Sequence, residues 1–279
     1  MSGGGATARA DRTVLTTGAN SGLGLDTAIE LARLGYRSVG SVRSASKAEV
    51  VAKAAADAGV TVETVILDVT DADACGRVID DLRPYALVNN AGYLQYSAVE
   101  EIDDDQARHQ LETMVVGPMR LARLAIPHMR EQGGGRIVQV SSLAGRISFP
   151  LMGWYQASKH ALEAVSDALR MEVAGDGIAV VLIEPGAFKS GLTGDLPNAD
   201  DAEDERYAGA LGRLRRGMEL MERFWGGPEK VAAVIGKAVS TGTPRARYVV
   251  GSDAKLSLLT DPLTPTLVRD FAARRLTGL

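Results

Sequence analysis

The sequence predicts one α/β domain built on a doubly wound parallel sheet of about seven strands, sandwiched between helices in three layers. Two observations carry that expectation. Runs apolar on both faces (VLTTG, YRSVGSV, VETVILDV, ALVNN, GRIVQVSS, IAVVLIEPG and RYVVG) alternate with helical patterns such as LDTAIELARL and HALEAVSDALRMEVA. Strands of that kind, joined by crossover helices, form a parallel sheet that needs cover on both faces. The chain of 279 residues is 46% hydrophobic, enough for one large core, and no internal repeat or domain-splitting linker divides it.

From the N-terminus, MSGGGATARAD has no apolar h-region and reads as a disordered start over 1–11, ahead of a single domain over 12–279. Thr13 to Thr17 form a short strand, and TGANSGLG then turns the chain into an amphipathic helix. Gly18, Gly22 and Gly24 follow the spacing G-x-x-x-G-x-G. Missing side chains let the backbone turn tightly and let a pyrophosphate approach the unpaired amides of a helix N-terminus. The spacing is neither the G-x-G-x-x-G of the dinucleotide fingerprint nor a loop ending in G-K-[ST], so a plain strand-to-helix connection stands beside the phosphate cradle as a reading.

The second strand runs out in YRSVGSVRSASK with no acid at its end. Dinucleotide sites that prefer NAD usually place Asp or Glu there for the ribose hydroxyls, whereas a basic residue accommodates a 2′-phosphate. Ser41 stands in the acid's place and Arg43 follows, with a guanidinium well matched to phosphate. NADP(H) is therefore favoured and NAD(H) left open; the rival role for Arg43 is a solvated strand cap.

Further along, WYQASKHAL places Tyr155 and Lys159 at i, i+4 on a helix, one turn apart on one face. A free phenol titrates near ~10, and a neighbouring ammonium favours phenolate, so the pair suits acid/base chemistry. The segment 191–227 is charged and then amphipathic, and reads either as a substrate lid or as a solvated insertion.

Four features fall in one order: TGANSGLG at 17–24, LDVT at 67–70, NNAG at 89–92, and SS at 141–142 ahead of YQASK at 155–159. With them the chain resembles the short-chain dehydrogenase/reductase family in its single-domain form, from about Thr13 to at least Ser190. EPGAFKSG at 184–191 and RYVVGSDA at 247–254 resemble the branch of hydroxysteroid and retinol dehydrogenase relatives. The resemblance implies a Rossmann-type fold in which Gly18, Asn20, Ser21, Gly22, Leu23 and Gly24 cradle the cofactor. It implies that Asp68 and Val69 flank the adenine and that Asn89, Ala91 and Gly92 line the cofactor. Pro185 and Gly186 would shape the nicotinamide pocket, with Phe188 and Ser190 at its carboxamide and phosphate side.

By the same carry-over, Ser142, thirteen residues before Tyr155, polarises the substrate oxygen while Ser141 turns away. Tyr155 transfers the proton. Lys159 lowers the tyrosine pKa and holds ribose hydroxyls. One departure stands out: the family's relay asparagine, three residues before Gly117, is Met114 here. Methionine keeps the main-chain carbonyl but cannot make the amide's hydrogen bonds. Helices Gln106 to Arg130 and Gly153 to Ala174 correspond to the family's dimer-forming bundle, so a homodimer or homotetramer is expected. Substrate walls are expected near Tyr93 to Tyr96, Leu143 to Trp154 and the lid.

A formal charge of −4 with 24% charged residues gives no polyanion-binding signature, so no nucleic-acid partner is expected. One cysteine, Cys75, excludes an internal disulfide and a cysteine-based zinc site. His109, His128 and His160 show no ligand spacing or paired carboxylate, and no metal is expected. No apolar run reaches the length of a bilayer span, and a cytoplasmic protein is expected. The expected function is NADP(H)-dependent interconversion of a ketone and a secondary alcohol on an apolar, steroid-like or polyketide-like substrate. The alternative is a catalytically weak cofactor-binding protein with a regulatory or interaction role.

Overall fold

A computed structural model describes residues 9–188, 204–223 and 225–279. Residues 1–8 of the expected disordered start, Ser190, and 191–203 and 224 of the expected lid lie outside the described residues. Arg9 lies within them, its guanidinium 5.7 Å from the centroid of the Tyr36 ring.

Seven strands form one sheet: β1 (Thr13–Thr16), β2 (Arg37–Val42), β3 (Glu63–Ile66), β4 (Ala86–Asn89), β5 (Gly135–Val140), β6 (Ile178–Pro185) and β7 (Arg247–Val250). Their order is β3-β2-β1-β4-β5-β6-β7, with every neighbouring pair parallel. The chain reverses direction across the sheet between β1 and β4, which leaves a crevice at the carboxyl ends of those strands. Open α/β sheets bind ligands at that switch point.

The helices are α1 (Gly22–Arg33), α2 (Ala45–Asp57), α3 (Ala72–Leu82), α4 (Asp104–Leu111), α5 (Gly117–Glu131) and α6 (Gly153–Glu172), followed by α7 (Glu205–Glu222), α8 (Glu229–Ser240), α9 (Ser252–Thr260) and α10 (Thr266–Thr277). Strand alternation sorts the core into layers. Leu15, Leu87, Ile137 and Val180 pack under α3, α5 and α6, while Val14, Val88, Val138 and Val181 pack under α1 and α8. A third cluster joins α1 to α2 through Ala28, Ile29, Val51 and Ala55. No helix among the described residues is long and apolar enough to cross a membrane.

Helix starts follow the capping chemistry of the sequence. Asp71 accepts from the Ala74 amide at 2.9 Å, and Asp103 and Gln106 form a reciprocal capping box. α1 differs, because Ser21 at its N-cap makes no side-chain capping hydrogen bond. The first amides of that helix are left for another acceptor. Glu112–Val116 form a π turn between α4 and α5.

Candidate active site

The glycine turn is packed too closely for side chains. A Cβ on Gly24 would lie 2.2 Å from the Gly18 carbonyl oxygen, and Gly18 itself has a φ of +67° with Ala91 Cα 3.0 Å from its would-be Cβ. Thr17 and Asn90 lock this turn to the end of β4. The Thr17 hydroxyl accepts from the Asn90 and Ala91 amides at 3.0 Å each, and Asn90 Nδ2 donates to the Thr17 carbonyl at 3.0 Å. Turn, uncapped α1 and missing Cβ atoms together make a cradle of backbone N–H groups that fits a pyrophosphate.

Two adjoining cavities open from this cradle. One, of about 650 Å³, is lined by Gly18, Asn20, Ser41, Arg43, Asp68, Val69, Ala91 and Gly92. The Ser41 hydroxyl is buried and accepts from the Gly18 amide at 3.4 Å, so it shapes the turn from beneath. Asp68 accepts from the Thr70 amide and hydroxyl at 2.9 and 2.7 Å. Burial pushes its carboxyl up, but those bonds and the nearby Arg43 charge outweigh burial and hold it below the ordinary value.

The second cavity, of about 550 Å³, shares Asn20, Arg43, Gly92 and Tyr93 with the first. Ser21, Gly22, Leu23, Gly24, Pro185, Gly186 and Phe188 line it together with Ser142, Tyr155 and Lys159. The Asp253 carboxylate accepts from the Ala187 amide at 2.7 Å and lies over Gly186, where a Cβ would meet it at 2.2 Å. It fixes the loop after β6. The far wall is apolar: Leu94, Tyr96, Phe149, Met152, Leu214, Met218 and Trp225, with Ala273 and Leu276 of α10.

Tyr155 and Lys159 are both buried on α6, with Nζ 5.8 Å from the phenol ring centroid. Lys159 Nζ donates to the Val140 carbonyl at 2.8 Å, and Ser142 accepts from the Ala144 amide at 3.1 Å. Burial lowers Lys159 to about 8, against a smaller opposing pull from Glu163. Burial raises Tyr155, and a hydrogen bond from Ser142 only partly opposes it. In an enclosed site with the ammonium directed to a carbonyl, the cost of burying a phenolate dominates.

Sequence reasoning placed Asn89 on the cofactor, yet it lines neither cavity. As the last residue of β4 it turns into the layer below, where Nδ2 donates to the Pro118 carbonyl at 3.1 Å; the next residue, Asn90, lines the second cavity. His128 does have a carboxylate partner, Asp80 on α3 at 3.1 Å, a pairing 48 residues apart and invisible in local spacing. The α10 wall and Asp253 also escaped notice, since both arrive from the end of the chain.

Met114 is buried at the centre of the π turn, so the helix distortion forms without an amide there. Its sulfur takes weak contacts from Gln110 Nε2 at 3.7 Å and the Ser158 hydroxyl at 3.6 Å. Gly117 gives the turn room: a Cβ there would approach the Val69 carbonyl oxygen to 2.9 Å.

Known proteins are similar to this chain in sequence and fold. The family model for short chain dehydrogenases matches residues 12–201. The uncharacterized oxidoreductase YusZ of Bacillus subtilis (strain 168) is 34% identical over 265 residues, spanning 90% of this chain and 93% of that protein. An NADPH-dependent 3-dehydrocapnine reductase of Ornithobacterium rhinotracheale is 30% identical over 251 residues, spanning 86% and 88%. The crystal structure of a short-chain dehydrogenase from Streptomyces avermitilis matches with a TM-score of 0.76 at 35% identity over 96% of each chain. With the glycine cradle, the seven-stranded parallel sheet and these relatives in agreement, the chain belongs to the short-chain dehydrogenase family.

Proposed function

We propose that the protein is an NADP(H)-dependent ketoreductase, interconverting a ketone and a secondary alcohol on an apolar substrate. One observation carries the reading: a buried Tyr155 faces a cavity whose cofactor side is glycine-lined and whose far side is apolar. The relative named as an NADPH-dependent reductase supports the cofactor and the direction.

In this reading Gly18, Asn20, Ser21, Gly22, Leu23 and Gly24 hold the pyrophosphate, and Asp68, Val69, Ala91 and Gly92 enclose the adenosine half. Arg43 meets the 2′-phosphate, with Ser41 setting the turn beneath it. Pro185, Gly186, Phe188 and Ser190 bound the nicotinamide, which when present supplies the hydride. The Ser142 hydroxyl polarises the substrate oxygen, and Tyr155 delivers its proton to that oxygen as charge develops there. Lys159 steadies the charge left on the phenol and holds ribose hydroxyls. Assembly as a homodimer or homotetramer through the bundle of α4, α5 and α6 belongs to the same reading.

The test is NADPH oxidation against a panel of apolar ketones, with Tyr155→Phe as control and Kd values for NADPH and NADH. Turnover by the parent alone, with tighter NADPH binding, is expected. Binding of NADPH without turnover of any carbonyl would replace this reading with that of a cofactor-binding regulatory protein.

A further inference from the structure

The space between α6 and the sheet is polar where such a layer is ordinarily apolar. Strand alternation turns Gln139 and Ser141 of the β5 end, and Glu184 of β6, toward the side of α6 that carries Lys159, Glu163 and Ser166. All six side chains are buried. Gln139 Oε1 and Nε2, Ser141 Oγ, Glu163 Oε1, Ser166 Oγ and Glu184 Oε2 have no hydrogen-bond partner among the described residues. Burying such groups unpaired is costly, so a role beyond packing is called for.

Glu163 follows Lys159 by four residues, one turn along the same helix face. Gly145 makes room beside that turn: a Cβ there would meet Ser141 Oγ at 2.7 Å, Glu163 Cγ at 3.1 Å and the Lys159 carbonyl oxygen at 3.2 Å. Glu163 Oε2 accepts from Arg247 Nε and Nη2 at 3.1 and 3.0 Å. That pairing ties β7 to α6, but it leaves the second carboxylate oxygen unexplained.

We propose that Glu163 is a positioning residue for the reaction: its buried carboxylate keeps Lys159 in the ammonium form that the tyrosine and the cofactor ribose require. The proposal rests on the assignment of Tyr155 and Lys159 as the reactive pair. The charged groups around it are few. On α6 Glu163 neighbours Lys159 and Asp167, the latter also paired with Arg170; from β7 comes Arg247, which also bonds Asp167 at 2.6 Å and Glu184 at 3.1 Å. From β6 comes Glu184, which Arg146 reaches at 3.2 Å from the loop after β5. Arg247 shares its charge among three carboxylates, so Glu163 is not fully neutralised and retains a field at Lys159. That field opposes the burial that lowers the lysine.

The experiment is a pH titration of the cofactor-free protein carrying ¹³Cε-lysine, followed by NMR, with the Lys159 resonance identified by its loss in Lys159→Arg. Glu163→Gln is expected to lower the Lys159 midpoint by about one pH unit, a tenfold change in the ammonium-to-amine ratio. Glu163→Asp, which keeps the charge, is expected to recover most of that shift, a rescue that a packing role would not produce. An unmoved Lys159 midpoint in folded Glu163→Gln overturns the proposal. Should that variant not fold, Arg247→Gln reports the same coupling with opposite sign: freeing the Glu163 charge raises the midpoint, and a fall or no change overturns it. Since the titration uses neither cofactor nor substrate, a failed ketoreductase assignment would show only in turnover.

Discussion

The Met114 sulfur lies 3.6 Å from the Ser158 hydroxyl, joining the centre of the π turn to the helix that carries Tyr155 and Lys159. A thioether accepts only weakly, and the Ser158 hydroxyl also donates to the Tyr155 carbonyl at 2.7 Å. The turn is thus held by backbone geometry, Gly117 and packing around an apolar centre. Met114→Asn is expected to change kcat by less than about tenfold, or about 1.4 kcal/mol. Steady-state rates across pH, with a solvent isotope effect, check this. An inert parent beside a readily active Asn variant would show the amide to be decisive.

Arg43 lines both cavities, and its charge helps to hold the Asp68 carboxyl below its ordinary value. Arg43→Asp removes a charge-assisted pairing to phosphate and adds repulsion. Discrimination between NADPH and NADH is expected to fall by about 3 to 6 kcal/mol, from doubling the figure for hydrogen bonds to charged groups. Calorimetric Kd values over a range of salt concentrations measure it, and equal affinities in the parent would refute the preference.

Tyr155→Phe removes the transferable proton and little else, so kcat is expected to drop by at least about 100-fold while cofactor Kd holds. Lys159→Ala is expected to weaken both, because its ammonium is assigned to ribose binding and to the phenol. Retention of more than about a tenth of kcat by the Phe variant contradicts the role of Tyr155.

Lys159, lowered to about 8 by burial, is charged below that pH and loses its proton as pH rises through it. Tyr155, raised by burial, stays protonated in that window. For ketone reduction, kcat/KM, which reports the free enzyme, is expected to be level below pH 8 and to decline above it. A pH–rate profile that stays level well past pH 9 would contradict a required Lys159 ammonium.

Gly24→Ala places a methyl within 2.2 Å of the Gly18 carbonyl oxygen and 2.5 Å of Asn90 Nδ2. Backbone on one side cannot yield, so a stability loss of about 1–3 kcal/mol is expected, with weakened cofactor binding. Denaturant midpoints and NADPH titration read the two effects separately.

The fold was legible because period-two and period-3.6 patterns are local, and because the glycine spacing and the Tyr155 to Lys159 step each lie within a few residues. What escaped the sequence depends on where side chains point once strands are paired. Asn89 and Asn90 differ only in which side of the β4 end they leave, and chain order alone does not say which faces the cavity. The sign of the Tyr155 shift depends on how completely the site is enclosed, and the α6 interlayer on which of Gln139, Val140 and Ser141 face the helix. Composition carries none of this information.

The apolar wall supplied by Ala273 and Leu276 has a further consequence. α10 packs on α7, and neither helix contributes a strand to the sheet or a residue to the Ser142, Tyr155 and Lys159 set. These helices add to the cavity wall from a stretch of sequence far from the reactive set, whereas Phe149 and Met152 reach the same wall from between Ser142 and Tyr155. Substitution at Ala273 or Leu276 would reshape that wall without touching the Ser142, Tyr155 and Lys159 set.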